Sequence, residues 1–97
     1  MNGYELSPEA LADLREIWVY IAGDNPAAAD ELEADIYHAC DLLARNPRLG
    51  HKRPDLTDEP VLFWPVRGRY MVIYQRATQP LKIARILHAA RDAREEL

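Results

Sequence analysis

The chain has 97 residues, 48% hydrophobic and 29% charged, with a formal net charge of −4; this is the balance of a folded domain and excludes an intrinsically disordered chain. No apolar run approaches the roughly 20 residues that span a bilayer, and Met1 to Leu6 lacks the basic-then-apolar order of a signal peptide. A single cysteine, Cys40, excludes an internal disulfide framework and fits a reducing compartment, so a cytoplasmic location is expected, without a membrane partner.

The charge is polarised along the chain. Residues 1–44 hold ten acidic residues and one basic one, Arg15, whereas residues 45–97 hold six acidic and eleven basic. A chain built this way can present a basic face despite its acidic pI.

In chain order, Tyr4-Glu5-Leu6 alternates and reads as a short strand. Ser7-Pro8-Glu9 then opens a helix: serine caps, proline suits the first helical position, and glutamate sits where the helix dipole favours a carboxylate. Leu11, Leu14, Ile17, Trp18 and Ile21 follow at helical spacing and are expected to face inward, with an end near Gly23. Asp24-Asn25-Pro26 restarts a helix capped by Asn25 or Asp24. Its apolar stripe is Leu32, Ile36, Ala39 and Leu43, and Asn46-Pro47 stops it. The short connection predicts an antiparallel helical hairpin.

Residues 50–60 read as loop. Three strands are then expected over 61–66, 69–76 and 81–88, joined by turns at Arg67-Gly68 and Thr78-Gln79-Pro80 as an antiparallel meander. Pro65 places the first of these at a sheet edge or a bulge. The predicted fold is α+β over residues 1–97: a two-helix antiparallel hairpin on a small antiparallel sheet, order β-α-α-β-β-β, with the other sheet face partly open.

Little of the familiar catalytic chemistry has a place here. Ser7, the only serine, is explained as a cap, and Cys40 beside Ala39 as a small buried hydrophobe. His38-x-Cys40 has the wrong spacing for one helix face, so no metal site is expected, and without a Gly-rich phosphate loop no nucleotide cofactor is either. Trp18, Phe63, Trp64, Tyr70 and Tyr74 sit at core-like spacings. The last strand ends in Arg85, His88 and Arg91, and Arg67, Arg69 and Arg76 lie on the neighbouring hairpin. Such groups suit phosphate binding or proton transfer, and five of these cations are expected near one open sheet surface.

From these pieces the chain resembles the RelE/ParE superfamily of toxins from type II toxin–antitoxin modules, closest to the ParE branch. The resemblance runs from Tyr4-Glu5-Leu6-Ser7-Pro8-Glu9-Ala10 and Leu14-Arg15-Glu16-Ile17-Trp18 through Asn46-Pro47-Arg48-Leu49-Gly50 and Arg69-Tyr70-Met71-Val72-Ile73-Tyr74 to Arg85-Ile86-Leu87-His88-Ala89-Ala90-Arg91-Asp92. It implies a cytoplasmic toxin without cofactor, neutralised by a ParD-like antitoxin through which alone it meets operator DNA. RelE-like members cleave messenger RNA on the ribosome without metal; ParE-like members inhibit DNA gyrase. Met71 stands where the nucleases carry an arginine, and residues 92–97 hold neither tyrosine nor histidine, so gyrase inhibition by binding, without catalytic residues, is the expected activity. The alternatives are a RelE-like ribonuclease and a non-toxic antitoxin-binding co-repressor. Arg69, Arg85, His88 and Arg91 are the expected target-binding residues; Trp18, Ile21, Phe63 and Trp64 are expected to line the antitoxin groove.

Overall fold

The computed structural model of the protein describes residues 3–89. Six elements follow in the expected order: β1 (Tyr4–Leu6), α1 (Pro8–Ala22), α2 (Pro26–Arg45), β2 (Leu62–Val66), β3 (Tyr70–Gln75) and β4 (Leu81–His88). Ser7 caps α1 with its hydroxyl oxygen, which accepts from the Ala10 N–H at 3.0 Å. The same hydroxyl donates to the Ala84 carbonyl at 2.7 Å, and the Ser7 N–H donates to the Ile83 carbonyl. One serine therefore joins the end of β1, the start of α1 and the middle of β4. Asn25, rather than Asp24, caps α2 by accepting from the Ala28 N–H.

The sheet order is β1-β4-β3-β2. β2, β3 and β4 form the predicted antiparallel meander, but β1 runs parallel to β4, pairing Tyr4 with Leu81 and Leu6 with Ile83. The expectation of a wholly antiparallel sheet is thus corrected to a mixed one. The reason is topological: β1 is separated from the meander by both helices, so its direction is set by how the chain crosses the covered face and not by a hairpin turn. β2 is an edge strand, where Pro65 costs no ladder bond. Its outer side is closed by His51, which exchanges two backbone hydrogen bonds with Phe63. Arg67 and Gly68 turn β2 into β3, both at positive φ (54° and 69°), as a type I′ turn demands.

The helices cover one sheet face. α2 buries Leu32, Ile36, Ala39 and Leu43 as predicted, together with Ala29 and Cys40. α1 is rotated from expectation: Ala10, Asp13, Leu14 and Ile17 are buried, whereas Leu11 is 39% exposed and Trp18 and Ile21 only half-buried. Tyr74, fully buried, and the half-buried Tyr70 both point to this helix-side core. The opposite sheet face is not left open. Phe63, Met71, Ile73 and Leu87 form a second buried cluster there, against which Leu56, Val61 and Ala89 pack. The 50–60 loop thus acts as a partial third layer.

Candidate functional site

The β3–β4 hairpin brings two of the expected target-binding residues to one end of the molecule. Tyr70 and His88 are cross-strand neighbours, and their rings meet edge to face with centroids 5.4 Å apart. Arg69 precedes Tyr70; its carbonyl accepts from the Ala89 N–H at 2.7 Å, while its side chain is exposed. Arg67 and Arg69 border a cleft of about 280 Å³ whose other walls are Ile21, Ala28, Leu32 and Tyr70. Arg69 and Ile21, expected to serve different partners, therefore share one cleft. Arg91 lies outside the described residues.

Arg85 is differently placed. β4 carries an irregularity: Ile73 pairs with Arg85, but its neighbour Tyr74 pairs with Ile83, leaving Ala84 as an extra residue. This aims Arg85 at α1, where its Nε and Nη2 each donate to the Asp13 carboxylate at 2.8 Å. The same carboxylate accepts from the Ile86 N–H at 3.0 Å. Asp13 is the one buried charged residue among those described. Three donors converging on it explain why a carboxylate occupies an inward position on α1. Arg85 thus holds α1 to β4 beyond the end of β1. Nor do the five cations of the two hairpins converge: Arg67 and Arg69 lie at one end of β3, and Arg76 beyond its other end, some six residues or about 20 Å away.

A second cleft, of about 290 Å³, runs between α2 and β2, walled by Asp35, His38, Leu42, Trp64 and Arg67 among others. An ion pair between Arg67 and Asp35 stands between the two clefts. Trp64 is half-buried on this side, with the His51 ring stacked near it at 6.5 Å. Trp18 fixes α1 to α2 by donating from Nε1 to Asp30 at 2.9 Å. Phe63 points the opposite way and is 3% exposed. Because neighbouring strand residues face opposite sides, Phe63 and Trp64 cannot line one groove, and the expected antitoxin groove is corrected accordingly. Sequence reading missed Asp35, whose partner Arg67 is 32 positions distant.

Cys40 is fully buried, and burial pushes its thiol up to about 12 from an ordinary 9.0. The thiol is therefore protonated in the folded protein throughout the neutral range. Iodoacetamide at pH 8 is expected to alkylate the native chain far more slowly than the denatured chain; equal rates would contradict this burial. The sign for stability follows. The unfolded thiol ionises first, so this group's contribution is complete below pH 9 and is lost as pH climbs toward about 12.

Among the described residues no helix is long and apolar enough to cross a membrane, and no group of three or more His, Cys, Asp or Glu could hold a metal ion. The family model described as "ParE toxin of type II toxin-antitoxin system, parDE" matches residues 4–93. Among solved structures, the "Chromosomal ParDE TA system from P. aeruginosa" contains a chain similar in fold, with a TM-score of 0.71 at 22% identity over 91% of this chain and 96% of that one. No curated protein matches the sequence.

Proposed function

The chain belongs to the ParE toxin family of type II toxin–antitoxin systems, and from that premise we propose that it arrests growth by binding DNA gyrase and is held inactive by a ParD-like antitoxin. The observation that carries this reading is the character of the sheet face turned away from the helices. Phe63, Met71, Ile73 and Leu87 fill it and are covered. Cleavage of RNA by its own 2′-hydroxyl needs a base, an acid and cations around the phosphate, and on the described part of this face four buried apolar side chains meet a single guanidinium, that of Arg53, which lies 4.0 Å from the Met71 sulfur and is paired with Asp55. Binding, by contrast, needs only exposed groups, which Arg69 at the β2–β3 turn supplies and His88, half-buried at the end of β4, complements.

The antitoxin is proposed to lie along α2 over the two clefts that the Arg67–Asp35 pair separates, with Ile21 at one end and Trp64 at the other. Apolar walls set between charged rims suit an amphipathic helix. Trp18 contributes by holding α1 against α2, and Phe63 by supporting β2 from beneath. Operator DNA is reached only through the antitoxin.

Expression without antitoxin, in a bacterial host carrying a DNA-damage reporter, tests the reading. Early damage signalling with translation still running is expected. Immediate translation arrest with cut messages would replace it by ribonuclease action, and unimpaired growth by a co-repressor role. Arg69→Ala with His88→Ala should abolish growth arrest and, because Arg69 also borders the antitoxin cleft, weaken antitoxin binding as well, whereas Trp64→Ala should weaken antitoxin binding about tenfold or more, the effect of truncating an aromatic anchor, and leave growth arrest in the absence of antitoxin unchanged.

A further inference from the structure

A cleft of about 560 Å³ lies at the C-terminal end of α2, away from the Arg67–Arg69 turn, and its walls include Asn46, Pro47, Arg48, Leu49 and Arg76. A neighbouring cleft of about 370 Å³ shares Arg76 and adds Lys52 beside Val61 and Ala77. Among the described residues neither wall includes a carboxylate. Arg48 and Arg76 are exposed and make no ion pair among the described residues, although the chain as a whole is acidic. Arg48 is not needed to finish the helix either. The Asn46 N–H reaches the Leu42 and Leu43 carbonyls, and the Asn46 side chain donates to Leu42 again.

The cleft is also held in shape. The Tyr74 hydroxyl donates to the Pro47 carbonyl at 2.7 Å and accepts from the Gly50 N–H at 2.8 Å. The loop carrying Arg48 and Leu49 is therefore bracketed by two bonds to one buried ring. Burial raises the pKa of that hydroxyl, and the Gly50 N–H and then the nearby Arg76 charge act against the rise. Cations held on a fixed floor lose little freedom on meeting an anionic partner.

We infer that this paired cleft docks an acidic peptide segment of a partner protein, with carboxylates on Arg48, Arg76 and Lys52 and aliphatic side chains against Pro47, Leu49 and Val61. The apolar walls favour a peptide over a nucleic acid. Leu49, 37% exposed, puts an aliphatic side chain in the wall beside the two arginines. Nucleobases are bound chiefly by stacking on aromatic rings, and among the described residues neither cleft is walled by one. The surface is separate from the two clefts assigned to the antitoxin helix and does not depend on the gyrase reading.

The test is fluorescence anisotropy on the purified chain with a fluorescein-labelled twelve-residue peptide repeating Glu-Glu-Leu. The comparison probes are the same peptide with each leucine replaced by glycine and a twelve-nucleotide single-stranded oligothymidylate. The wild-type chain is expected to bind the Glu-Glu-Leu peptide most tightly, and Arg48→Gln with Arg76→Gln to weaken it at least about tenfold, since each arginine contributes a charge-assisted contact. Leu49→Ser should erase the preference for leucine over glycine. Thermal unfolding of the variants should match wild type, because these side chains are at the surface. Peptide affinity indifferent to the arginines, no preference for leucine, absence of peptide binding, or tighter arginine-dependent binding of the oligonucleotide would each overturn the inference.

Discussion

Asp13→Ala is expected to lower the unfolding free energy by about 2–4 kcal/mol. Removing one partner of a buried pair costs about 3–5 kcal/mol, reduced here because the Arg85 side chain keeps 24% of its exposure. The loss has three parts: both guanidinium bonds and the Ile86 N–H bond end on the same carboxylate. For a chain of this size such a change lowers Tm by roughly 10–25 °C, which calorimetry reads directly. Arg85→Ala should also destabilise the protein, and Asp13→Ala should cost much less in an Arg85→Ala background, because the two guanidinium bonds to the carboxylate are then already gone. The cycle also decides what Arg85 does. Growth arrest lost in proportion to stability marks a positioning role; growth arrest lost with stability intact marks a contact with the target.

Gly50→Ala is expected to cost about 2–4 kcal/mol, combining overpacking with at least one lost hydrogen bond. A Cβ at position 50 would stand 2.6 Å from the Tyr74 hydroxyl, 2.7 Å from its ring and 3.0 Å from the Leu62 Cβ. The ring cannot swing aside, because Tyr74 is fully buried and its hydroxyl is held by both Pro47 and Gly50. Tyr74→Phe should cost about 1–3 kcal/mol by leaving the Gly50 N–H and the Pro47 carbonyl without their partner. Gly50→Ala should be less damaging when made in Tyr74→Phe, since the closest contact has been removed. Urea denaturation of the two single variants and the double variant checks this; a Gly50→Ala change below about 0.5 kcal/mol, the usual range for surface substitutions, would contradict the geometry.

The helices and the meander were legible because their signals are local. Ser7-Pro8, Asn25-Pro26, Asn46-Pro47 and Gly68 each impose a boundary through capping, a fixed φ or a positive φ, whatever else surrounds them. What escaped depends on distant partners. Three residues, Tyr4-Glu5-Leu6, carry no information on strand direction, so the parallel pairing with β4 could not be read. Asp13 drew no reading, because hydrophobic periodicity gives a carboxylate no inward place; its partner lies 72 positions away. The same holds for the cover that Leu56 and Val61 give the far sheet face, since a loop's docking leaves no periodic trace. The Asn46-Pro47-Arg48-Leu49-Gly50 run was visible as a piece of the family resemblance, but its physical reason, the Tyr74 hydroxyl, emerges only from the fold. Of the candidate site, Arg69 and His88 do come to one end of the molecule, while Arg85 is drawn into the interior by a carboxylate that sequence reading had not paired with it.

The central claim, that this ParE-family chain works by binding gyrase, is tested most directly with purified components. The chain is added to DNA gyrase, ATP and relaxed plasmid, and in parallel to ribosomes translating a defined message. The account predicts that supercoiling is lost, that linear plasmid accumulates once trapped gyrase is denatured and digested, and that the message stays intact. Unaffected gyrase together with cleavage of the message would contradict it.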